Sequence, residues 1–229
     1  MAHGPHRRSV AALAGALAFG LCPACLDQRQ GITVDVQIRG AEAHFTTEAG
    51  EITLSAARIT IWSTAISACP EAAWRLPSLS MGRAWAHSAS DPLRSGVPVV
   101  VDLLGGQTPV AALTPPPGRW CALDLEIAPA DADAVGLTRE MEGRTFDLEG
   151  TFQPPGGDPL PFRVLGAPSL AGEIDLGGLD LSGATDGALV DLAVDLPRWF
   201  EGVELTDPAG ASRRLAAQLP GSLISEIRP

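Results

Sequence analysis

Beyond residue 30 the chain is dominated by apolar residues that recur at every second position. Ile32, Val34, Val36 and Ile38 fall on one side of an extended segment, with Thr33, Asp35 and Gln37 on the other. A period of two is the signature of a strand with one buried face. The run opening with Ile52 and Leu54 changes phase near Ala57-Arg58, then continues through Ile59 and Ile61. Such a slip predicts a bulge or a bend. Val97–Leu104 reads as a short, continuously apolar strand. Further on, Cys121, Leu123, Leu125 and Ile127 alternate with Trp120, Ala122, Asp124 and Glu126. Phe146, Leu148 and Phe152 mark another strand, Phe162 and Val164 its hairpin partner, and Val190, Leu192, Val194 and Leu196 a late one.

Turn chemistry separates these runs. Gly105-Gly106, Pro115–Gly118, Pro154–Pro159 and Gly177-Gly178 all stand between segments of strand length, where glycine and proline supply the backbone angles that turns need. One helix is predicted: Asp207 as N-cap, Pro208 in the first turn, then Ala211–Leu219 up to Pro220-Gly221. Ser222–Ile227 closes the domain as a last strand. The pattern specifies an all-β chain, an antiparallel β-sandwich of about eight to ten strands with one short C-terminal helix.

The start of the chain follows a different pattern. Arg7 and Arg8 precede the uncharged, apolar run Val10–Leu21, and no acid occurs before Asp27. That order matches a secretory signal peptide, and the run is too short to span a bilayer core of about 30 Å. The alternative is a hydrophobic N-terminal helix retained on a cytosolic protein. Leu21-Cys22-Pro23-Ala24-Cys25 resembles the bacterial lipobox, in which a cysteine after a small residue is lipidated and becomes the mature N-terminus. The resemblance makes Cys25 the lipidated residue. Cys22 departs from the aliphatic residue usual there, so ordinary cleavage after Ala24 stays open. The expected layout is a signal peptide over 1–24, a lipid-anchor tether over 25–30 and one sandwich domain over 31–229. Cys22 and Cys25 also form a C-x-x-C, but no strand–helix–strand unit surrounds them, as a thioredoxin-type site requires.

Charge and composition exclude more than they identify. The chain carries 16 basic and 27 acidic residues, a net charge of −11. A surface that acidic repels nucleic acid. Beyond the lipobox only Cys69 and Cys121 remain, and an exported protein with an even cysteine count in its domain usually pairs them. The expectation is a structural disulfide lying in the core, because Cys121 falls on the apolar side of its strand; the alternative is two buried thiols.

Three segments carry a further resemblance: the strand pair Val34–Ile61, the turn Pro117-Gly118-Arg119-Trp120-Cys121 entering a central strand, and Val194–Val203 running into an aromatic-glycine corner. Arg213–Ile227 fits the short helix and closing segment that follow. Together they resemble a loose group of bacterial secreted lipoproteins, which includes the periplasmic copper-binding proteins associated with methanobactin. The resemblance implies export and a β-rich fold. Its copper-binding members imply several histidines around an oxidised tryptophan, and here only His44 and His87 remain past the signal.

Candidate sites are accordingly sparse. Trp85 and His87 share one side of an extended segment with Met81 and Asp91 nearby, which makes His87, with His44, the candidate metal ligands; the bland alternative is a loop histidine. Asp131 and Asp133 suggest either calcium ligation or a solvated acidic turn, and Asp124 with Glu126 an outward acid pair. Trp199-Phe200 reads as a core corner, with Gly202 permitting the turn, and alternatively as a ligand-stacking pair. There is no G-x-S-x-G, H-E-x-x-H, P-loop or dinucleotide fingerprint. The expectation is a noncatalytic lipoprotein of the cell envelope with no cofactor. A lipid anchor would hold it to a bacterial membrane, facing the periplasm or the cell surface. It would bind an unknown protein, glycan or small ligand; the rival is a periplasmic copper-binding protein using His87 and His44.

Overall fold

In the computed structural model, residues 32–70, 91–181 and 187–228 are described. They form twelve strands and two helices. In chain order the strands are β1 (Thr33–Ile38), β2 (His44–Thr47), β3 (Gly50–Ala68), β4 (Arg94–Ser95), β5 (Val99–Asp102), β6 (Thr108–Leu113) and β7 (Gly118–Ile127). They continue with β8 (Phe146–Gln153), β9 (Leu160–Gly166), β10 (Leu170–Leu181), β11 (Gly187–Val194) and β12 (Leu223–Arg228). Between β11 and β12 lie a single turn, α1 (Leu196–Trp199), and the longer α2 (Pro208–Ser222).

Two sheets result, and the all-β sandwich expected from the alternation is what the chain forms. The smaller sheet has the order β12-β11-β1-β6, the larger has eight strands around β3. Most neighbours are antiparallel, but β1 and β11 run parallel, with Val34 beside Ala188 and Ile38 beside Leu192. Val34, Val36 and Ile38 are buried in one core with Val190, Leu192 and Val194 from β11 and Ile59, Leu123 and Leu148 from the larger sheet.

The long strand β3 organises the larger sheet. Arg58 pairs with Asp102 of β5 and Asp147 of β8 at once, while Ile61 pairs with Val99 of β5 and Ile127 of β7. A strand has two edges, so β5 holds one of them, and β7 and β8 follow each other along the second. The expected phase change is present but lies earlier: the register jumps between Leu54 and Ala56, leaving Ser55 as the extra residue. A second jump between Ile61 and Ser63 turns the pattern back. Between them Ala57, Ile59 and Ile61 keep facing the core.

Between β7 and β8 the chain leaves its edge and straps the outer face of the sheet. Thr60 holds the strap's end, its N–H donating to the Thr145 carbonyl (2.9 Å) and its hydroxyl to the Arg144 carbonyl (3.0 Å). At the far side Val100 N–H donates to Val135 O, and Val135 N–H to Pro98 O, both at 2.8 Å. Val100, Ala130, Ala134 and Met141 bury one another beneath the strap in a core of their own.

The twelve strands exceed the eight to ten expected and α1 adds a second helix, and two further details depart from expectation. Helix α2 does not stop before Pro220 but carries it inside, ending at Ser222. Proline there forfeits one helical hydrogen bond; burial of Ala211, Leu215 and Leu219 holds the turn, and the Ser222 hydroxyl donates to the Leu219 carbonyl. Cys69 and Cys121 are bonded, with Cα atoms 4.7 Å apart; Cys69 is buried in the core as expected, but Cys121 is not. The register slips from Ser67 beside Ala122 to Ala68 beside Trp120, so Cys121 is the extra residue. Trp120 takes the inward position and Cys121 is half-buried.

Candidate functional site

The larger sheet turns its polar side outward, and the slip at Ser55 hollows it. The hollow is a groove of about 650 Å³ lined by β3, β8 and β9. Leu54, Gly150 and Phe162 form its buried floor, while Thr53, Ser55, Glu149, Thr151, Pro161 and Arg163 stand exposed around it. Gly150 is required where the strands close on each other: a Cβ there would lie 2.2 Å from the Thr53 carbonyl oxygen.

Register places the lining side chains in two rows. His44, Thr53, Thr151 and Pro161 are direct neighbours across β2, β3, β8 and β9, and Ala56, Glu149 and Arg163 make the next row. Arg163 is 43% exposed, yet both Nε and Nη2 donate to the carboxylate of Asp147 at 3.0 Å. Asp147 itself is 1% exposed, and Arg58 approaches its other side at 3.5 Å. A buried carboxylate thus fixes an exposed guanidinium in a bidentate geometry. The bonds and charge of Asp147 raise the pKa of Arg163 further above its ordinary value. Glu149 lies 3.8 Å from its Nε. The strap contributes Glu140, whose carboxyl is held below its ordinary range chiefly by its own backbone N–H, with a weaker pull from Arg58 and Arg163.

The residues singled out in the sequence are scattered. Cys25, His87, Trp85 and Met81 lie outside the described residues. His44 is exposed on β2, its Nδ1 3.0 Å from the Thr53 hydroxyl, which sets it on the groove's rim. Asp91 and Asp131 each accept a backbone N–H two residues on, at 2.9 and 3.1 Å. These are the self-bonded turns that aspartate favours. No group of three or more His, Cys, Asp or Glu able to hold a metal ion occurs among the described residues. Asp124 and Glu126 do share the outer face, but each is engaged: Asp124 by the Ser67 hydroxyl at 2.5 Å, Glu126 by Ser63 and Arg94 at 3.1 and 3.2 Å.

Trp199 and Phe200 are buried, with the Trp199 indole N–H donating to the Leu215 carbonyl at 2.8 Å. Edge-on rings of Phe45, Phe146 and Phe162 surround them. Gly202 makes the turn with φ of 64°. The corner is core.

No family model, curated protein or solved structure matches this chain.

Sequence reasoning passed over the groove, because the hairpin's register was not countable. Phe152 pairs with Leu160 and not with Phe162, and that offset sets Glu149 beside Arg163 and Thr151 beside Pro161. Nor could Asp147 be counted, a charge between Phe146 and Leu148 that alternation assigns to solvent. The contact of His44 with Thr53 does not make a nucleophile and base. Both side chains lie open on the sheet face, and no third described residue orients the imidazole, as such a set requires. Replacing His44 by alanine is expected to leave unfolding free energy within about 1 kcal/mol of wild type, as for an exposed residue with one weak contact. Chemical denaturation measures this, and a larger loss would reveal a structural role for the imidazole.

Proposed function

We propose that this chain is an exported, noncatalytic protein of the bacterial cell envelope, anchored through lipid on Cys25, whose sandwich binds a ligand in the β3–β8–β9 groove. The observation that carries the binding role is Arg163, exposed in the groove but clamped from beneath by buried Asp147. A donor oriented before any ligand arrives loses little freedom on binding, and the same bonds that satisfy the buried carboxylate leave part of the guanidinium exposed in the groove. Export draws support from the Cys69–Cys121 bond, since such bonds persist in oxidising compartments. It draws support too from the signal-like order of Arg7, Arg8 and the apolar run. A lipid anchor suits a chain in which no described helix is long and apolar enough to cross a membrane.

Mass spectrometry of the protein from a bacterial envelope tests the anchor. An acylated N-terminal cysteine at Cys25 is expected, and Cys25→Ser should release the protein or leave it unprocessed. Two or more acyl chains hold firmly where one binds only marginally, so wild type should stay with membranes through a salt wash. An unmodified N-terminus at Cys25 or beyond would overturn the reading.

A further inference from the structure

The charges around the groove cancel. Arg163 is matched by Asp147 below it and Glu149 beside it, and Arg58 also turns to Asp147. With Glu140 within electrostatic reach of both arginines and a net charge of −11 on the whole chain, an anionic ligand meets no positive field, and electrostatic capture needs one. A cation is served no better, because Glu149 is already paired with Arg163.

What remains is hydrogen bonding with both senses available. The hydroxyls of Ser55 and Thr151 each donate and accept, that of Thr53 keeps capacity beyond its bond to His44, Glu149 accepts, and the guanidinium of Arg163 keeps N–H groups beyond those spent on Asp147. Thr53 and Thr151 are stiff at χ1, so the array is rigid as well as mixed. Beside it the Pro161 ring offers an apolar surface at the end of the Thr53–Thr151 row. Adjacent hydroxyls of a sugar ring present the same alternation of donor and acceptor, and the ring's C–H face requires an apolar neighbour. The groove's volume of about 650 Å³ also suits a small-molecule ligand or a short oligomer.

We propose that this groove binds a neutral oligosaccharide, an inference that rests on the binding role stated above. The exposed hydroxyl row would meet the sugar hydroxyls, Glu149 and Arg163 would grip an adjacent pair of them, and Asp147 acts as a positioning residue that touches only the arginines.

The test presents the purified chain with immobilised neutral oligosaccharides built on glucose, mannose and N-acetylglucosamine. Sulfated and carboxylated counterparts and basic and acidic peptides make up the rest of the panel. Saturable binding to at least one neutral member is expected, and it should not change with added salt, because no net ion pair forms on binding. Glu149→Gln and Thr151→Val should each weaken it at least about tenfold, which corresponds to about 1.4 kcal/mol. Asp131→Ala, in the strap and away from the groove, should leave it unchanged. Circular dichroism and thermal melting establish that the variants are folded.

Binding only to charged members of the panel would overturn the proposal, as would neutral binding that survives both substitutions, or no neutral binding at millimolar sugar. The envelope reading answers to a different measurement. An acylated Cys25 with a peptide or an anionic glycan in the groove keeps that reading and removes this one. An unmodified Cys25 with no ligand of any class removes both.

Discussion

Trp199→Ala should cost about 3–5 kcal/mol of folding free energy, the range for emptying a large aromatic site in a core. Trp199 is fully buried at the corner where β11 passes through α1, and it touches both sheet and helix. Its ring meets Phe146 edge-on at 6.0 Å and Phe200 at 5.9 Å, contacts that add to area burial. Its indole N–H reaches the Leu215 carbonyl, tying α1 to α2. Trp199→Phe separates the terms, keeping most of the apolar contact and losing the hydrogen bond, so it should fall well short of the alanine value. Urea unfolding followed by circular dichroism measures both. A loss below about 1 kcal/mol for alanine would mean that the corner collapses onto the cavity, and that the aromatic cluster is not what holds α2 in place.

Removing the disulfide should have an effect of similar size by a different route. Cys69 and Cys121 are 52 residues apart, and opening a loop of that length frees the unfolded chain by about 4 kcal/mol in the loop-entropy treatment. Cys69→Ser with Cys121→Ser should therefore lower stability by about 2–5 kcal/mol. Cys69 is buried, but Cys121 is pushed off the ladder and only half-buried, so reductant attacking from the Cys121 side should open the bond in the folded protein, without global unfolding. Thiol labelling at increasing dithiothreitol, far below the unfolding midpoint, follows this. A rate independent of reductant concentration would show instead that the bond opens only when the protein does.

The strands were legible because each is a local pattern. Val34, Val36 and Ile38 alternate and are buried, and the hairpin around Pro154–Pro159 forms where phenylalanines flank a proline- and glycine-rich turn. Partners from distant parts of the chain were not legible. Nothing near Thr33–Ile38 announces that Gly187–Val194 lies parallel beside it. The bulge was misplaced by two residues because Ala56 and Ala57 satisfy either phase, and only the pairing with β8 decides between them. Cys121 and Trp120 exchanged roles for a similar reason: both tolerate burial, and the slip opposite Ala68 chooses the tryptophan. The groove needed three strands and a buried charge. Asp147 is hidden only because Arg58 and Arg163, from two other strands, meet it there. The candidate metal ligands followed from residue type alone, and His44 has geometry only with Thr53.

The parallel pair at the middle of the smaller sheet also sets a timetable. Gln37 of β1 bonds to Asp191 of β11 across 154 positions of sequence, and Asp191 is in turn held by Arg228 in the last strand. A ribosome makes β1 first, so its apolar row waits with one edge open until almost the whole chain exists. Pairing across such a separation is slow, because the loop must close before any contact rewards it. The larger sheet, built mainly from antiparallel neighbours, can assemble earlier, and the smaller sheet closes over it at the end. Between those moments β1 keeps the backbone edge that β11 will take unpaired, beside the apolar face of Val34, Val36 and Ile38, an exposed strand of the kind that recruits other chains. Any cell that makes this protein must hold that interval short or keep the nascent chain unfolded through it.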